Sequence, residues 1–521
     1  MKRKGILILL LVLILLFPAA GYAAEGNQET FTVGMEVNYA PFNWSQTTAD
    51  NGAVPVENSP NEYANGYDVW MAKQIADAMG KKLVIQKIEW DGLPPALISG
   101  KIDAIIAGMS PTPDRKEIID FTDNYYSSDL VIVVQKNSSY ASATSLEDFQ
   151  GARITGQLNT FHYDVIDQIP GVRKETALDN FPTMITALIS GKIDGYVSER
   201  PGAMSAVQSS DALTYISFDE EKGFRTDPNS ISIAVGVQKG SPLKKQINDA
   251  LSEITEEERQ NAMQEMVNLN VAKAPDSFFD GVMRILSGYG MLFLRGAGVT
   301  LFISLAGTIA GCVIGLLVQI LRSVPIISGK FPIRNGFIHA VHLLCGIYVE
   351  VFRSTPMIVQ AMLIYYGSKQ FLNVDLNAVA AGMIVVSINT GAYLAETIRG
   401  GIDSVDRGQF EASYALGLSH WQMMIYVILP QALRAILPSI GNEFVVNIKD
   451  TSVLNVISVT ELFFITKGVA GSTLLIFQSY LIAAVVYFVM TLCATQLIRL
   501  LSRKLNPDTQ FSLASATGGV K

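Results

Sequence analysis

The second half of the chain contains apolar stretches that resemble membrane-spanning helices. A helix needs about 20 mostly apolar residues to cross the hydrocarbon core of a bilayer. The candidates are Gly296–Leu321, Met357–Tyr366 with its flanks, Ala378–Ile398, Leu433–Ile448 and Leu474–Ile498. The third and fifth are the clearest, whereas Arg, Pro and Lys interrupt the second and fourth. The sequence therefore predicts an all-α transmembrane domain of about five helices.

Charge divides the chain near the same place. Residues 25–280 contain 20 Lys and Arg against 37 Asp and Glu, whereas residues 281–521 contain 16 against 10. Basic residues follow the first, third and fifth apolar segments, beginning with Arg322, Arg399 and Arg499. Basic residues favour the cytoplasmic side of a membrane, so the first span is predicted to run inward, with the acidic half outside and the C-terminus inside.

The first residues have the layout of a secretory signal. Three basic residues precede an apolar core at Ile6–Phe17, and small residues follow at Ala23 and Ala24. We predict a signal peptide at residues 1–24, with an uncleaved anchor as the alternative.

Cysteine usage limits how the exported half is stabilised. Cys312, Cys345 and Cys493 all lie in the apolar half. The exported half must therefore be stable without disulfide bonds, as a domain of its size can be. No Cys/His grouping has metal-ligand spacing, so no metal site is predicted, and each histidine is interpreted as structural or incidental.

The sequence ALISGKID occurs twice, at Ala96–Asp103 and at Ala187–Asp194. Each copy reads as a helix end closed by glycine and followed by a buried strand. The pair predicts two related α/β lobes, each placing the loop after its strand at a shared edge.

Polar residues follow both predicted strands. After the first copy, Gly108 and Ser110 offer backbone amides and a hydroxyl, and Arg115 offers a planar fork matched to a carboxylate. After the second copy, Glu199 can accept hydrogen bonds from an ammonium group. One lobe would bind the carboxylate and the other the ammonium group. This arrangement predicts a cleft that closes on an amino acid.

Residues 30–270 resemble the extracellular solute-binding proteins of polar amino-acid ABC importers. The resemblance rests on FTVGMEVNYAPFNW, ANGYDVWMAKQIADAMG and IEWDGLPPALISGKIDAIIAGMSPTPDRKEIIDFTDNYY. It implies an α/β two-lobed periplasmic-binding-protein-like domain of type II.

The resemblance also implies ligand contacts on both lobes. These fall at Glu36, Tyr39, Trp90, Gly108, Ser110, Arg115, Gln157, Thr160 and Glu199, with Phe161 as a further candidate. Glu36 and Tyr39 would contact the ligand side chain, Trp90 its aliphatic part, and the Gly108 to Arg115 group its carboxylate. In GARITGQLNTFHYD, Asn159 replaces a common glycine, and Glu199 replaces a commoner aspartate.

Other interpretations of single residues stay open. Arg115 alone could be a surface ion-pair residue, Glu36 a solvated acid at a strand end, and Tyr39 and Trp90 core aromatics. If Glu36 faces the ligand side chain as a carboxylate, it favours lysine, arginine or histidine first and glutamine second.

Residues 290–505 resemble the permease subunits of the same importers. The segment GQFEASYALGLSHWQMMIYVILPQALRAILPSIGNEFVVNIKDTSVL reads as short helices broken by Gly417 and Pro430, and resembles the family's E-A-A loop. YVEVFRSTPMIVQ and AYLAETIRGGI are further matches. The resemblance implies a type I ABC importer permease whose loop at about 409–431 docks on a separate ATPase. The implied coupling residues are Glu411, Ala412, Gly417, Leu429 and Pro430.

No G-x-x-x-x-G-K-[ST] sequence occurs in the chain, so ATP is expected to act through a partner and the chain itself is not an enzyme. No cofactor is expected in this chain. The expected partners are an ABC ATPase, an amino-acid ligand, membrane lipids and a second permease copy in a homodimer, with no nucleic acid. The predicted order is signal 1–24, binding domain 30–270, linker 271–289, permease 290–505 and cytoplasmic tail 506–521, in the cytoplasmic membrane.

A ligand-gated channel or a membrane sensor is the competing class, because such receptors use a similar two-lobed domain. A channel of that kind interrupts the binding domain with its pore, whereas here the second lobe ends before the first clear span. A sensor kinase continues into a long cytosolic domain, and only about twenty residues follow the last span. A cell-wall enzyme lacks room for a catalytic domain.

Overall fold

The computed structural model describes residues 29–219, 222–226, 231–269, 277–326 and 332–505. The predicted signal peptide at 1–24, the predicted tail at 506–521 and linker residues 271–276 lie outside the described residues.

The strands of the described residues belong to the first half of the chain. They are β1 (Thr30–Met35), β2 (Asn38–Tyr39), β3 (Asn43–Gln46), β4 (Val54–Pro55), β5 (Tyr63–Asn65), β6 (Lys82–Lys87), β7 (Ala104–Ile105), β8 (Asp120–Ser127), β9 (Leu130–Gln135), β10 (Arg153–Thr155), β11 (Arg173–Lys174), β12 (Gly195–Glu199), β13 (Leu213–Ile216) and β14 (Ser232–Val237).

The helices of that half surround the strands. They are α1 (Tyr67–Ala78), α2 (Leu93–Ile98), α3 (Pro113–Ile118), α4 (Phe161–Asp164), α5 (Phe181–Ile189), α6 (Arg200–Ser209), α7 (Leu243–Ser252) and α8 (Glu256–Leu269).

These elements form two lobes, each built on a five-stranded mixed sheet. Lobe 1 has the order β6-β1-β7-β14-β8, and lobe 2 has the order β11-β10-β12-β9-β13. The chain enters lobe 2 between β8 and β9 and returns between β13 and β14, so two crossings join the lobes. Every residue of β14 is buried, as expected for a strand covered on both faces by helices. The predicted two-lobed α/β fold is confirmed.

Most helices of the second half are long and apolar. The helices are α9 (Phe278–Arg322), α10 (Pro332–Ser354), α11 (Met357–Leu372), α12 (Ala378–Asp403), α13 (Arg407–Ala415), α14 (His420–Met423), α15 (Leu429–Asp450), α16 (Leu462–Thr473) and α17 (Ile476–Leu505). Two short ones, α13 and α14, lie between α12 and α15.

Among the described residues, five helical segments are long and apolar enough to span a membrane, as the sequence predicted. They are Phe278–Arg322, Ile333–Ser354, Ala378–Asp403, His420–Ile457 and Ile476–Ser502.

The second predicted span is wrong in position. Met357–Tyr366 lies in α11, whose 16 residues extend only about 24 Å, less than the hydrocarbon thickness of about 30 Å. The segment Ile333–Ser354 takes its place. Sequence analysis missed that segment because Arg334, His339 and Glu350 dilute its apolar pattern.

The predicted linker at 271–289 overlaps the first helix of the second half. Residues 278–289 form the first turns of α9, and the Ser277 hydroxyl caps this helix by accepting a hydrogen bond from the Asp280 N–H at 3.1 Å. At 45 residues, α9 is about 68 Å long, more than twice the hydrocarbon thickness. Arg295 on this helix donates to the carbonyl of Pro60 in lobe 1 at 3.3 Å.

Close packing of small residues joins the first and third spans. A Cβ at Gly315 of α9 would lie 2.8 Å from the Ala395 nitrogen of α12, and one at Gly307 would lie 2.4 Å from Val386. Small residues spaced by four let membrane helices approach closely. The Asn447 side chain of α15 donates to Thr308 and Thr390, which ties these helices to a third one.

Candidate functional site

A small cavity of about 10 Å³ lies between the two lobes. Its lining residues are Tyr39, Trp90, Gly108, Ser110, Arg115, Gln157, Thr160, Phe161, His162, Phe181 and Glu199. The structure therefore brings the predicted ligand residues together in one place, with the exception of Glu36. Their roles in binding remain predictions.

Arg115 carries the positive charge of the lobe 1 wall. It lies in the short helix α3, and its guanidinium donates to the carbonyls of Ser110 at 2.9 Å and Asn159 at 2.8 Å. The guanidinium also lies over the Trp90 ring, 5.1 Å from its centroid. Burial lowers the pKa of Arg115 to about 10, so the group stays cationic at neutral pH. The cation therefore lines the cavity with a fixed orientation, and its contact with a ligand carboxylate remains a prediction.

Glu199 carries the negative charge of the lobe 2 wall, at the end of β12. One carboxylate oxygen lies 2.8 Å from Nε2 of His162, and the other accepts a hydrogen bond from the Tyr39 hydroxyl. Burial acts to raise the pKa of Glu199, but His162 and the Tyr39 hydroxyl outweigh it and hold the pKa below its usual value. The carboxylate is therefore charged at neutral pH.

Two residues that line the cavity were missed by sequence analysis: Phe181, whose ring stacks on Tyr39, and His162, which was interpreted as structural or incidental. Nδ1 of His162 lies 3.2 Å from the Thr160 hydroxyl, so the ring bridges Thr160 and Glu199. The usable signal was its position, two residues after a predicted ligand contact. A lone histidine carries no spacing pattern, and its pairing with Glu199 depends on the fold.

Three hydrogen bonds connect the lobes across the cleft. Tyr39 donates to Glu199, Arg115 donates to the Asn159 carbonyl, and the Asn159 side chain donates to Asp91 at 2.8 Å. Asn159 has φ of 57°, a left-handed conformation that glycine and asparagine adopt most readily. The asparagine thus keeps the backbone shape that glycine allows and adds a contact between lobes. The structure is that of a closed receptor.

Gly108 supplies space to the site. Its N–H is not open to a ligand, contrary to expectation, because it donates to the Tyr125 hydroxyl at 3.3 Å. Its φ is 63°, and a Cβ there would lie 3.1 Å from the Tyr39 ring. Tyr125 in turn donates to Asp68 at 2.7 Å, so a buried network supports the floor of the cleft.

Glu36 lies beside the cavity and not among its lining residues. It is buried, with an exposed fraction of 6%, and accepts a hydrogen bond from the Trp90 N–H. Burial and the nearby Glu89 carboxylate raise the pKa of Glu36 to about 8, against the opposing charge of Lys467. Its carboxyl group is therefore mostly protonated at neutral pH.

Lobe 1 contacts the membrane half through ion pairs. Lys101 lies 2.9 Å from Asp375, and Glu89 lies 2.6 Å from Lys467 of α16. Helix α16 also contacts lobe 2, because a Cβ at Gly471 would lie 2.8 Å from Asn38 of lobe 1 and 3.6 Å from Pro182 of lobe 2. A single permease helix therefore contacts both lobes of the closed receptor.

The predicted coupling loop exposes apolar side chains. Glu411 and Ala412 lie exposed on α13, and Gly417 follows with φ of 73°. The apolar exposed side chains include Tyr414 at 57% and Leu416 at 80%. The docking role of this loop remains a prediction.

The predicted helix break at Pro430 is wrong. Residues 420–450 form a continuous helical run, in which Leu429 is buried and Pro430 occupies the first turn of α15. A π-helical turn at Met424–Ile428 precedes the proline. Proline lacks an N–H and crowds the preceding turn, and the wider π turn accommodates it without ending the helix.

The fold and the cleft define a two-lobed amino-acid receptor joined to a helical permease. Residues 31–267 match the bacterial extracellular solute-binding proteins, family 3, and residues 340–507 match the binding-protein-dependent transport system inner membrane component.

The chain is 37% identical over 215 residues to the glutamine transport system permease protein GlnP of Escherichia coli, covering 41% of this chain and 93% of that protein. It is 35% identical over 210 residues to the probable amino-acid permease protein YxeN of Bacillus subtilis, covering 40% and 88%. A solved structure of the substrate-binding protein AbpA of Streptococcus pneumoniae, bound to L-arginine, aligns with a TM-score of 0.40 and 22% identity over 47% of this chain and 97% of that one.

The chain belongs to the polar amino-acid ABC importers, as a fused binding protein and permease. It is a multi-pass membrane protein with its binding domain outside the cell.

Proposed function

We propose that this chain is the receptor and permease subunit of an ATP-driven importer of a polar or basic L-amino acid. The observation that carries the proposal is the cavity between the lobes, with the Arg115 cation on one wall and the Glu199 carboxylate on the other. An α-carboxylate beside Arg115 and an α-ammonium beside Glu199 satisfy both walls at once. Because neither lobe alone supplies both charges, ligand binding favours the closed arrangement.

Closure is coupled to the permease through α16 in this proposal. Gly471 approaches Asn38 and Pro182, which belong to different lobes, so the complete contact surface exists only when the lobes are closed. The Lys467–Glu89 ion pair adds an electrostatic contact beside the cleft. A ligand-loaded receptor therefore binds the permease better than an open one, and ligand binding can regulate the transport cycle.

A separate ABC ATPase supplies the energy in this proposal. The exposed surface of α13 and the residues after it, with Tyr414 and Leu416, is the docking surface for that ATPase. ATP binds the partner, and the chain needs no cofactor of its own. We further propose that two copies of the chain form the permease as a homodimer and carry two tethered receptors, whose linkers give an effective concentration of roughly millimolar.

The ligand side chain is selected beside Glu36 in this proposal. A charged carboxylate favours basic side chains first and glutamine second. Because the pKa of Glu36 is raised to about 8, its protonated form at neutral pH offers an amide a hydrogen bond and offers a cation no charge attraction. Relatives named for glutamine transport support the amide as well. We therefore rank glutamine level with the basic amino acids at pH 7, and the basic ones first above pH 8.

The importer function is tested with the full chain in nanodiscs together with its ATPase. Each of the common amino acids is added in turn while binding and ATP hydrolysis are measured. We expect basic amino acids or glutamine to bind and to stimulate hydrolysis several-fold. If no amino acid stimulates hydrolysis although one binds, the chain is a receptor of another class.

The role of Glu36 predicts a pH effect. Because its raised pKa leaves the carboxyl neutral below about pH 8 and charged above, affinity for arginine relative to glutamine should rise about fivefold from pH 6.5 to 8.5. Comparing two ligands cancels the titration of their shared α-amino group. In Glu36→Gln the ratio should stay flat, whereas the exposed control Glu57→Gln should keep the wild-type slope. If the affinity ratio of the wild-type chain does not change with pH, Glu36 does not set the specificity.

A further inference from the structure

The two ALISGKID copies adopt the same local structure, one on each lobe. The glycines Gly100 and Gly191 have φ of 73° and 70°. In both copies the lysine N–H donates to the carbonyl of the first alanine at 2.9 Å. In both, the final aspartate accepts a 2.8 Å hydrogen bond from the backbone N–H of a neighbouring strand, at Thr32 or at Arg153. The same surface is thus presented twice.

The fold of a lobe explains the leucine, the glycine, the second isoleucine and the aspartate of the repeat, but not the lysine side chain. The leucines Leu97 and Leu188 have 0% exposure, and the second isoleucines, Ile102 and Ile193, are buried as well. Glycine provides the left-handed turn, and aspartate caps the next strand. The lysine side chain after the turn is neither buried in the lobe nor needed for the turn or the cap. Within the lobe, any residue that tolerates solvent would fit at this position.

In lobe 1 this lysine binds the permease. The Lys101 ammonium lies 2.9 Å from the Asp375 carboxylate and 2.9 Å from the Leu376 carbonyl. It also lies 3.8 Å from the centroid of the Tyr365 ring. Its side chain is only 6% exposed as a result. Tyr365, Asp375 and Leu376 therefore form a socket for the repeat, which we call the lysine socket.

In lobe 2 the same surface is open. Lys192 is exposed, unlike Lys101, and has no ion pair within the part of the chain that the structure describes. This surface lies at the end of α5, whose beginning at Pro182 faces Gly471 of the permease. Lobe 2 therefore carries a second copy of the docking surface on a helix that already approaches the membrane half.

We propose that the lobe 2 copy docks its Lys192 in the lysine socket of a second copy of this chain. The inference rests on the homodimer of the proposed function, because a two-fold pair of permeases presents two identical sockets. A receptor with two equivalent lobes engages both sockets at once, and the two contacts strengthen each other through effective concentration. The repeat then has a function in both lobes, because the two sockets of the dimer are identical. One receptor at a time occupies both sockets.

Cross-linking between two different chains tests the contact directly. Cys312, Cys345 and Cys493 are first replaced by serine, and a Lys192→Cys chain is co-expressed with a differently tagged Asp375→Cys chain. In nanodiscs with saturating glutamine or arginine, oxidation should join the two tags in one reducible band. Lys136→Cys, an exposed lysine position elsewhere on lobe 2, should give none with the same partner. Lys101→Cys with Asp375→Cys in one chain is the positive control.

The outcomes separate this inference from the proposed function. Lack of the two-tag band, while the positive control forms and light scattering gives a dimer, refutes the Lys192 contact and leaves the importer intact. A monomer by light scattering refutes both the homodimer and the contact. In transport assays, Lys192→Ala should lower ligand-stimulated ATP hydrolysis about fivefold with ligand affinity unchanged, and Lys136→Ala should lower neither. Equal hydrolysis in Lys192→Ala and Lys136→Ala also contradicts the proposal.

Discussion

Replacing Arg115 with alanine is expected to abolish amino-acid binding, with Kd rising at least about a hundredfold. A charge-assisted hydrogen bond contributes about 1.5–3 kcal/mol, and a carboxylate that loses two of them loses at least about 3 kcal/mol, which corresponds to that factor. The change also removes the guanidinium that lies over Trp90 and donates to Asn159 across the cleft. The full chain in nanodiscs is titrated calorimetrically with glutamine and with arginine.

Two companion variants assign the effect to the guanidinium fork. Lys116→Ala removes an exposed positive charge from the next position of the same helix and should bind normally. Arg115→Lys keeps the charge but loses the planar fork, so its affinity should lie between those of the wild type and Arg115→Ala. Normal binding by Arg115→Ala would show that the carboxylate is held elsewhere.

Replacing Gly417 with aspartate is expected to leave amino-acid affinity unchanged and to reduce ligand-stimulated ATP hydrolysis more than about tenfold. Nothing lies within 4 Å of a Cβ at this position, so the chain itself has room for the side chain. The effect should arise at the ATPase interface, where the variant adds a charge beside Leu416 and strains a residue with φ of 73°. A left-handed conformation costs a non-glycine residue about 1–2 kcal/mol. Hydrolysis and calorimetric binding are measured on the same preparation.

The matched control for this change is Gly151→Asp in lobe 2. Gly151 has φ of 79° and also has nothing within 4 Å of a Cβ, so the conformational cost is comparable. With Gly151→Asp, ligand-stimulated ATP hydrolysis should equal that of the wild type. Equal losses of ATP hydrolysis in the two variants would mean that backbone strain lowered the amount of folded protein. Wild-type hydrolysis by Gly417→Asp would show that this loop position has no role in coupling.

Local patterns predicted the charged residues of the cleft walls because they follow recognisable strand ends, whereas the resemblance supplied the other ligand contacts. Arg115 and Glu199 were found from their positions after the two ALISGKID copies, and the structure places both on one cavity. Glu36 shows the limit of this reasoning. The resemblance to solute-binding proteins implied a charged ligand contact at Glu36, but its burial and its neighbour Glu89 come from distant parts of the fold and leave it protonated at neutral pH.

The membrane half shows a similar limit. Hydropathy predicted the number of spans, because crossing the bilayer depends on local composition. Hydropathy selected α11 as the second span instead of the longer α10. The two helices differ more in length than in apolar content, and hydropathy measures only apolar content. Proline chemistry likewise suggested a break at Pro430, whereas a π turn before it keeps the helix continuous.

The sequence by itself determined an acidic, cysteine-free half with two repeated α/β units, followed by a half with about five apolar spans, because periodicity, charge and repeats are local properties. The resemblance to known importers added the roles of receptor and permease. Only the tertiary structure decided that His162 pairs with Glu199, that Asn159 connects the lobes, and that Lys101 sits in a permease socket while Lys192 stays open. These contacts join residues distant in sequence. Their partners are set by how the lobes and helices pack, which no local pattern records.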